Sequence, residues 1–266
     1  MKKLLAIAVM AAMIPVAVLA QAAAQNKTDA TIWTGFYAGI NVGGAIGSSN
    51  AQTATVFSST GYFAATSVTA IAATGNQNLS LVGVIGGGQF GYNRQVAPKW
   101  VLGAEADYDA FETSNSATGT TVYPGFSPTA FTITQKVSTD WMATVRPRVG
   151  YTAGKRALLF VSGGAAETKI NYSSLFTDTF ASANESATAS VLRTGWIAGG
   201  GGEYAFDKHW SARAEYLYAS FGKVSNAGTV LTASGGGSTI PYPTNPFTHT
   251  ATLTSNIARV AVNYRF

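Results

Sequence analysis

Residues 257–266 decide the fold class, and they read Ile257-Ala258-Arg259-Val260-Ala261-Val262-Asn263-Tyr264-Arg265-Phe266. Successive side chains of a β-strand point to opposite faces, so one face carries Ala258, Val260, Val262, Tyr264 and Phe266. The other face carries Arg259, Ala261, Asn263 and Arg265. A strand that is apolar on one side and cationic on the other suits a wall between hydrocarbon and a polar interior. These residues predict the closing strand of an outer-membrane β-barrel, with an edge strand of a soluble β-sandwich as the alternative.

The composition limits the class of protein. Charged residues make up 11% of the chain, against roughly 25% in soluble globular proteins. The mean hydropathy of +0.15 is too low for a bundle of membrane helices, but it suits strands that are apolar on one face only. The absence of cysteine excludes disulfides and thiolate metal sites. The formal net charge of +5 comes without a dense Lys/Arg cluster, which argues against nucleic-acid binding.

The first 24 residues have the composition of a secretory signal peptide. Lys2 and Lys3 supply the positive charge, an apolar run follows, and small residues precede a cleavage site after Ala20 or Ala24. No later segment is long and apolar enough to form a transmembrane helix. We therefore expect an exported chain in which residues 25–266 form the barrel.

The rest of the chain divides into eight segments with strand-like alternation, of which the fifth has no assigned facing because adjacent glycines obscure its pattern. Three short turns separate pairs of segments, at residues 94–99, 152–156 and 207–209. Four stretches rich in Ser, Thr, Ala and Gly are predicted to be long polar loops, at residues 46–79, 112–136, 173–186 and 223–252. Short periplasmic turns alternating with long external loops are typical of outer-membrane barrels. The predicted fold is an all-β, antiparallel, up-and-down transmembrane barrel of eight strands.

Aromatic residues cluster near the ends of the predicted strands. One group lies near the turns: Trp100, Tyr151, Phe206, Trp210, Tyr264 and Phe266. A second group lies towards the loops: Tyr108, Trp141, Trp196 and Tyr218. Two aromatic girdles are what the two surfaces of a bilayer predict.

The opening strand and the terminal residues carry a family resemblance. The opening strand reads Trp33-Thr34-Gly35-Phe36-Tyr37-Ala38-Gly39-Ile40-Asn41-Val42-Gly43-Gly44. With the terminal Tyr264-Arg265-Phe266, it resembles the small outer-membrane protein (porin-like, immunogenic) family of alphaproteobacteria, and the resemblance covers the whole mature chain. It implies an OmpA-type eight-stranded barrel in the outer membrane of a Gram-negative bacterium. It also implies insertion by the barrel-assembly machinery, for which the assembly signal would be Val260, Val262, Tyr264 and Phe266. Some relatives are thought to bind haem or to support envelope integrity, but no haem-binding residue pattern carries over to this chain.

Two motifs that could carry chemistry have simpler explanations. Residues 86–91 satisfy G-x-G-x-x-G, but a turn follows where a dinucleotide-binding fold needs a helix, and glycines relieve crowding in bent barrel strands. His209 and His249 fall at opposite ends of the predicted barrel, which argues against a two-histidine metal site. No acid follows Glu215 to orient His249 as a catalytic base. We therefore predict no enzyme activity, no cofactor and no metal.

Alternation directs ten charged side chains into the barrel interior. They are Glu105, Asp107, Asp109, Glu203 and Glu215, with Arg146, Arg148, Arg213, Arg259 and Arg265. The interior of an eight-stranded barrel is just wide enough for side chains to fill, and charges buried there must be paired. Arginine suits this role because its planar group pairs with carboxylates through two hydrogen bonds. The pattern predicts a packed, ion-paired lumen without an open channel, and a narrow water-filled pore is the alternative.

These observations predict an integral outer-membrane barrel with a structural, envelope-maintaining role. The alternatives that stay open are a narrow porin for small solutes and a surface adhesin or haem-binding receptor acting through the external loops. Residues 47–80, 113–135 and 224–254 contain no Asp, Glu, Lys or Arg, so these loops would not be repelled by anionic lipopolysaccharide. Expected partners are outer-membrane lipids, lipopolysaccharide and the barrel-assembly machinery, with host or surface ligands at the loops. The sequence does not indicate an oligomeric state.

Overall fold

The computed structural model describes residues 32–235 and 237–266, so the predicted signal peptide and its cleavage site lie outside the described residues. Within the described part, strands predominate, and α1 (Ala65–Thr74) is the helix. No helix in these ranges is long and apolar enough to cross a membrane. The strands are β1 (Gly35–Thr55), β2 (Gln77–Ala97), β3 (Trp100–Val122), β4 (Ala130–Ala153), β5 (Ala157–Asp178), β6 (Asn184–Ala205), β7 (Trp210–Ala227), β8 (Leu231–Gly235), β9 (Ser238–Tyr242) and β10 (Phe247–Arg265).

Eight of these strands form a closed ring. Their order is β5-β4-β3-β2-β1-β10-β7-β6, and β6 pairs with β5 to complete the ring. Every neighbouring pair is antiparallel, and β1 pairs with β10 from Tyr37 opposite Arg265 to Thr55 opposite Phe247. The hairpin of β8 and β9 lies in the last loop and meets β6 where Asn184 pairs with Thr232. The predicted eight-stranded, antiparallel, up-and-down barrel is confirmed.

The two ends of the ring differ in their connections. At one end, here the turn end, residues 98–99, 154–156 and 206–209 join consecutive strands. Gly154 has a φ of +74° in its turn, a conformation that glycine adopts without steric cost. Asp207 accepts hydrogen bonds from the backbone N–H groups of His209 and Trp210, both at 2.7 Å, and these bonds hold the pKa of Asp207 below its usual value. The opposite end is the loop end.

The strands extend much further at the loop end than the sequence predicts. The first loop is predicted at residues 46–79, but β1 continues to Thr55 and β2 begins at Gln77, with α1 between them. Only residues 123–129 connect β3 to β4, and only residues 179–183 connect β5 to β6. The predicted loop boundaries are therefore wrong. The reason is that Ser- and Thr-rich segments read as loops by composition, although threonine also favours strands, where it makes cross-strand hydrogen bonds such as Thr118–Thr134 and Thr120–Thr132.

The outer face of the ring is apolar in its middle and aromatic at its borders. Ile40, Val82 and Val161 are 72%, 66% and 64% exposed, as expected of side chains that face lipid. Aromatic pairs mark the two borders. At the turn end, Trp100 packs against Tyr151 at a centroid distance of 5.5 Å, and towards the loop end, Tyr108 packs against Trp141 at 5.6 Å. The alternation predicted from the sequence, and the two girdles, are present.

Two strands show where simple alternation is insufficient. In β5, the even-numbered residues face inward along the whole strand, so Gly163 and Gly164 do not interrupt its pattern. In β4, alternation extended from Arg146 predicts an inward Asp140, but the register shifts between Thr139 and Met142. This bulge reverses the facing, so Asp140 lies on the outer surface, 3.5 Å from Lys169.

The interior is filled by side chains in successive layers. Nearest the turns lies the turn-end cluster of Trp33, Val101, Leu158 and Ala205, and the ionic layer described below follows it. Next come the apolar layer, made of Leu81, Ile85, Phe111, Met142, Ile197, Leu217 and Ile257, and the polar layer, made of Thr53, Gln135, Ser174, Glu185 and His249. The cap at the loop end consists of Phe63, Ile71, Tyr123, Phe131, Phe176 and Phe247. Strand alternation supplies these side chains, because every second residue of each strand points into the barrel.

Candidate functional site

The ionic layer lies between the turn-end cluster and the apolar layer and contains the charges predicted to lie inside. Strand β3 contributes three acids, and the arginines come from β4, β7 and β10 on either side of them. All ten predicted residues point inward and are buried: Glu105, Asp107, Asp109, Arg146, Arg148, Glu203, Arg213, Glu215, Arg259 and Arg265. The three acids of β3 therefore face cations from other strands, which offsets their mutual repulsion.

Arg146 lies at the centre of the layer and is fully buried. Its Nη2 donates to Glu105 Oε1 and Asp107 Oδ2, both at 2.7 Å, and its Nη1 lies 3.4 Å from Glu215 Oε2. One guanidinium thus contacts carboxylates from β3 and β7, which are not neighbours in the ring. Short, charge-assisted hydrogen bonds of this kind are stronger than bonds between neutral groups.

Arg259 and Arg213 complete the central pairs. Arg259 donates from Nε to Glu215 Oε1 at 2.6 Å and from Nη1 to Asp109 Oδ2 at 2.8 Å. Arg213 donates from Nη1 to Glu105 Oε2 at 2.6 Å. Each central carboxylate therefore has an arginine partner, and the buried charges are balanced within the layer.

Uncharged polar residues extend the network, and sequence reasoning did not include them. The Tyr37 hydroxyl donates to Glu105 Oε2 at 2.5 Å and accepts from Arg148 Nη1 at 3.1 Å. Asn41 Nδ2 donates to Asp109 Oδ1 at 2.8 Å. The signal in the sequence was their position, because both lie on the polar face of the opening strand and must point into the barrel.

Two arginines lie towards the turn end and bind less tightly to acids. Arg148 Nη2 is 3.2 Å from Glu203 Oε2, and its guanidinium lies 4.0 Å from the centroid of the Phe160 ring. Arg265 is 3.9 Å from Glu203, lies over the Trp33 ring at 4.8 Å and hydrogen-bonds to the carbonyl of residue 32. Stacking on aromatic rings offsets part of the cost of burying these cations.

The polar layer corrects one expectation about His249. The sequence offers it no orienting acid after Glu215, but Glu185 of β6 lies 3.2 Å from His249 Nε2, and Thr53 Oγ1 lies 2.9 Å from Nδ1. His209 lies in a turn at the other end, as predicted. The order of hydroxyl, imidazole and carboxylate resembles a catalytic triad. However, all three side chains are buried beneath the cap, and Thr53 is also bonded to Gln135, so the group fills the interior as a polar layer.

A carboxylate outside the membrane region holds the cap together. Asp178 Oδ2 accepts hydrogen bonds from the hydroxyls of Tyr62 at 2.6 Å and Tyr123 at 3.0 Å, which belong to two different loops. Asp178 Oδ1 accepts from the Ala183 N–H at 2.8 Å. Burial, together with the neighbouring carboxylate, raises the pKa of both phenols well above the usual value, so both remain hydrogen-bond donors. Asn245 fastens the first loop by accepting from the Tyr62 N–H at 2.6 Å.

The residues of the predicted assembly signal lie on the outer face of β10 and after its end. Val260 and Val262 are exposed in the apolar belt, and Tyr264 packs against Trp210 and Phe266 at centroid distances of 5.1 and 5.4 Å. These positions are accessible from the lipid side. Their role in assembly remains a prediction.

Comparison with known proteins agrees with this architecture. The profile of the "Outer membrane protein beta-barrel domain" family matches residues 7–266. The 31 kDa outer-membrane immunogenic protein of Brucella melitensis is 35% identical over 204 residues, which cover 73% of this chain and 74% of that protein. The outer membrane protein OprG of Pseudomonas aeruginosa (10% identity, TM-score 0.43) covers 88% of this chain and 96% of its own. The outer membrane protease OmpT of Escherichia coli (10% identity, TM-score 0.43) covers 90% and 99%. This chain belongs to the outer-membrane protein β-barrel domain family and resides in the outer membrane of a Gram-negative bacterium.

Proposed function

We propose that this barrel has a structural, envelope-maintaining role and that its interior is closed to solutes. The observation that carries the proposal is the stacking of the apolar layer directly on the ionic layer. Arg146 and its carboxylates are buried, and Phe111, Leu217 and Ile257 of the apolar layer are also buried. A barrel of this kind contributes a stiff, sealed element to the membrane, and no catalytic step is part of the proposal.

The ionic layer by itself opposes the passage of ions. Its five carboxylates and five guanidiniums are matched in number and in close contact, so a passing ion would have to displace an existing partner. Breaking a buried pair leaves an uncompensated charge, at a cost of about 3–5 kcal/mol. Charges that line a conducting pore are instead separated and hydrated.

The apolar layer is a second barrier. An ion or a polar solute entering it would lose its hydration and find no hydrogen-bonding partner in Phe111, Met142 or Leu217. Transfer of an unpaired polar group into such surroundings costs roughly 2–7 kcal/mol, and a charge costs far more. The narrow porin is therefore the less favoured function.

Single-channel recording in planar bilayers separates the two functions. The expected result is insertion without steady conductance steps, with insertion verified by the shift in gel mobility between boiled and unboiled protein. A variant with Phe111→Ala, Leu217→Ala and Ile257→Ala, which opens the apolar layer, is the matched comparison. Steady openings of the unmodified protein would exclude a closed lumen.

The structural role has a cellular test. Removal of the gene from its native bacterium is expected to increase the uptake of bulky antibiotics that an intact outer membrane excludes. A structural role is supported if the unmodified barrel restores the exclusion of these antibiotics, and if the deleted strain takes up small sugars and amino acids at the normal rate. An uptake defect for small solutes in the deleted strain would instead support a porin.

A further inference from the structure

A pocket of about 340 Å³ opens at the loop end, outside the membrane region and above the cap. Three connections build it, namely the first loop with the start of α1, the β3–β4 loop and the β5–β6 turn. The lining residues that matter below are Phe57, Tyr62, Ser67, Tyr123, Phe126 and Phe180. The volume lies at the lower end of the range for small-molecule sites, roughly 300–1,000 Å³, and suits a ligand of one or two rings.

The floor of the pocket presents a hydrogen-bonding group that has no partner among the described residues. Ser67 is only 3% exposed and lines the pocket, and its hydroxyl, which makes no hydrogen bond to the described residues, opens into the pocket. The N–H groups of Ser67 and Val68 are already bonded to the Ala64 carbonyl, at 3.0 and 3.3 Å, so the Ser67 hydroxyl is the polar group that the start of α1 offers to the pocket. A hydroxyl in this position is satisfied only when a ligand or water in the pocket supplies its partner.

Charge in and around the pocket argues against an anionic ligand. No Asp, Glu, Lys or Arg lines it. The adjacent carboxylate, Asp178, is engaged by the hydroxyls of Tyr62 and Tyr123 and by the Ala183 N–H. Its negative charge offsets the attraction that a helix N-terminus would exert on a phosphate or carboxylate. The ligand must therefore be neutral and must offer hydroxyl or carbonyl oxygens to the floor.

The rim of the pocket is aromatic and exposed. Phe57, Phe126 and Phe180 are 55%, 49% and 61% exposed, although this end of the protein faces water. Phe180 stands 6.5 Å from Phe126 and 6.0 Å from Tyr62, measured between ring centroids, so these three rings form a continuous part of the border. Exposed apolar residues grouped around a pocket are typical of a binding site, whereas single apolar residues scattered over a surface are common in any protein.

We propose that this pocket binds a neutral sugar ring at the end of a surface glycan. A pyranose has an apolar C–H face that packs on phenyl rings and a polar edge of hydroxyls that can bond to the Ser67 hydroxyl. A purely apolar ligand would leave the Ser67 hydroxyl unpaired, and an anion would meet Asp178 without a compensating cation. The neutral pyranose satisfies both the rim and the floor.

Saturation-transfer NMR on the folded barrel in detergent micelles tests the proposal. The probes are methyl β-D-galactopyranoside, methyl α-D-glucopyranoside and methyl α-D-mannopyranoside, with the methyl glycoside of sialic acid and toluene as the anionic and apolar comparisons. The expected result is saturable binding of at least one neutral glycoside. Phe180→Ala and Ser67→Ala should each weaken that binding about threefold to tenfold, the loss expected for one contact or one hydrogen bond.

Matched variants distinguish the pocket from the rest of the loop surface. Ile240→Ala and Ser238→Ala change an exposed apolar and an exposed hydroxyl residue in the β8–β9 hairpin, outside the pocket, and should leave binding unchanged. Every variant must retain the heat-dependent gel mobility of a folded barrel. Failure of all three neutral glycosides to bind, equal binding by Phe180→Ala and unmodified protein, or preferential binding of toluene or the sialoside would each overturn the proposal.

Two sources could supply the same ring, and competition identifies the source. Displacement of the bound glycoside by oligosaccharide released from the bacterium's own lipopolysaccharide would support the proposal with a neighbouring lipid as donor. Displacement by neutral host-type oligosaccharides alone would support it with a host glycan. None of these results depends on whether the lumen conducts, so the proposal stands or falls separately from the closed barrel.

Discussion

Arg146 links carboxylates from two parts of the ring and is fully buried. Its replacement by alanine would leave Glu105 and Asp107 with one partner fewer in a dry layer. We expect Arg146→Ala to lower the free energy of unfolding by about 3–5 kcal/mol. Denaturant titration of the barrel in micelles, followed by tryptophan fluorescence and gel mobility, measures this change.

The control for Arg146 is Arg156, which is exposed in the turn between β4 and β5. Arg156→Ala should change stability by no more than about 0.5 kcal/mol, as is usual for surface sites. A loss below about 1 kcal/mol for Arg146→Ala would show that the layer is hydrated, since exposed pairs contribute only that much. Such a result would favour a water-filled lumen.

The residue scale also shows what alternation can and cannot predict. The inward facing of the ten charges follows from a period of two and could be read from the sequence. The partners could not, because which arginine meets which acid depends on the stagger between strands. The bulge that turns Asp140 outward and the contact between Glu185 and His249 likewise depend on register, which no local pattern encodes.

Among the elements, the cap combines apolar packing with hydrogen bonds to one carboxylate. Asp178 joins the loops that carry Tyr62 and Tyr123, so its removal should free α1 without disturbing the barrel. We expect Asp178→Ala to increase hydrogen exchange in α1 by about tenfold or more, the effect of losing bonds to a charged group. Hydrogen-exchange mass spectrometry measures it, and Asp140→Ala, on the outer surface, is the control. Unchanged exchange in α1 would show that apolar packing alone holds the cap.

The same contact gives the cap a dependence on alkaline pH. Burial raises the pKa of Tyr62 and Tyr123 above the ordinary value of about 10. Phenols released from the cap therefore ionise at lower pH than phenols within it, so the stabilisation is complete below about pH 10 and decreases as pH rises beyond it. Protection factors of the α1 amides, which already take account of the rise of intrinsic exchange with pH, should fall between about pH 10 and 11, and Tyr123→Phe should reduce that fall. Protection factors that stay constant over this range in the unmodified protein would contradict this mechanism.

Strand β10 carries the predicted assembly signal on its lipid-facing side. If the assembly machinery reads the terminal aromatic residue, Phe266→Ser should reduce the amount of folded barrel in the outer membrane severalfold. Val230→Ser is the control, because Val230 is also an exposed apolar residue but lies at the loop end. Cell fractionation with heat-dependent gel mobility gives the measurement, and equal yields of the two variants would remove Phe266 from the signal.

The elements show why the composition misplaced the loops. The halves of β3 and β4 nearest the loop end are rich in Ser and Thr, which resembles loop composition. However, Phe131, Ile133 and Val137 of β4 point into the barrel in this half. These apolar residues pack into the cap and the apolar layer, and that burial pays for the ordering of an otherwise polar segment. Weighting the alternation of inward and outward residues above the composition would have predicted the longer strands.

In the closed barrel that we propose, more than one layer of the interior acts as a barrier. The cap covers the loop end, and the apolar and ionic layers lie beneath it. Replacement of residues 57–76 by a short Gly-Ser linker removes α1 and the first loop but none of the ionic layer. We expect this variant to insert and to show no steady conductance in planar bilayers. Regular conductance steps would show that the cap is the barrier.

The ionic layer has a consequence for the order in which the barrel is made. The acids of β3 are synthesised before Arg213 and Arg259, which neutralise them from strands that come more than a hundred residues later. Until the last strand arrives, the nascent sheet keeps uncompensated negative charge on its concave side, and this charge resists transfer into hydrocarbon. Completion of the ring and acceptance by the lipid are therefore coupled events. We therefore expect a chain that lacks its final strand to enter the lipid poorly.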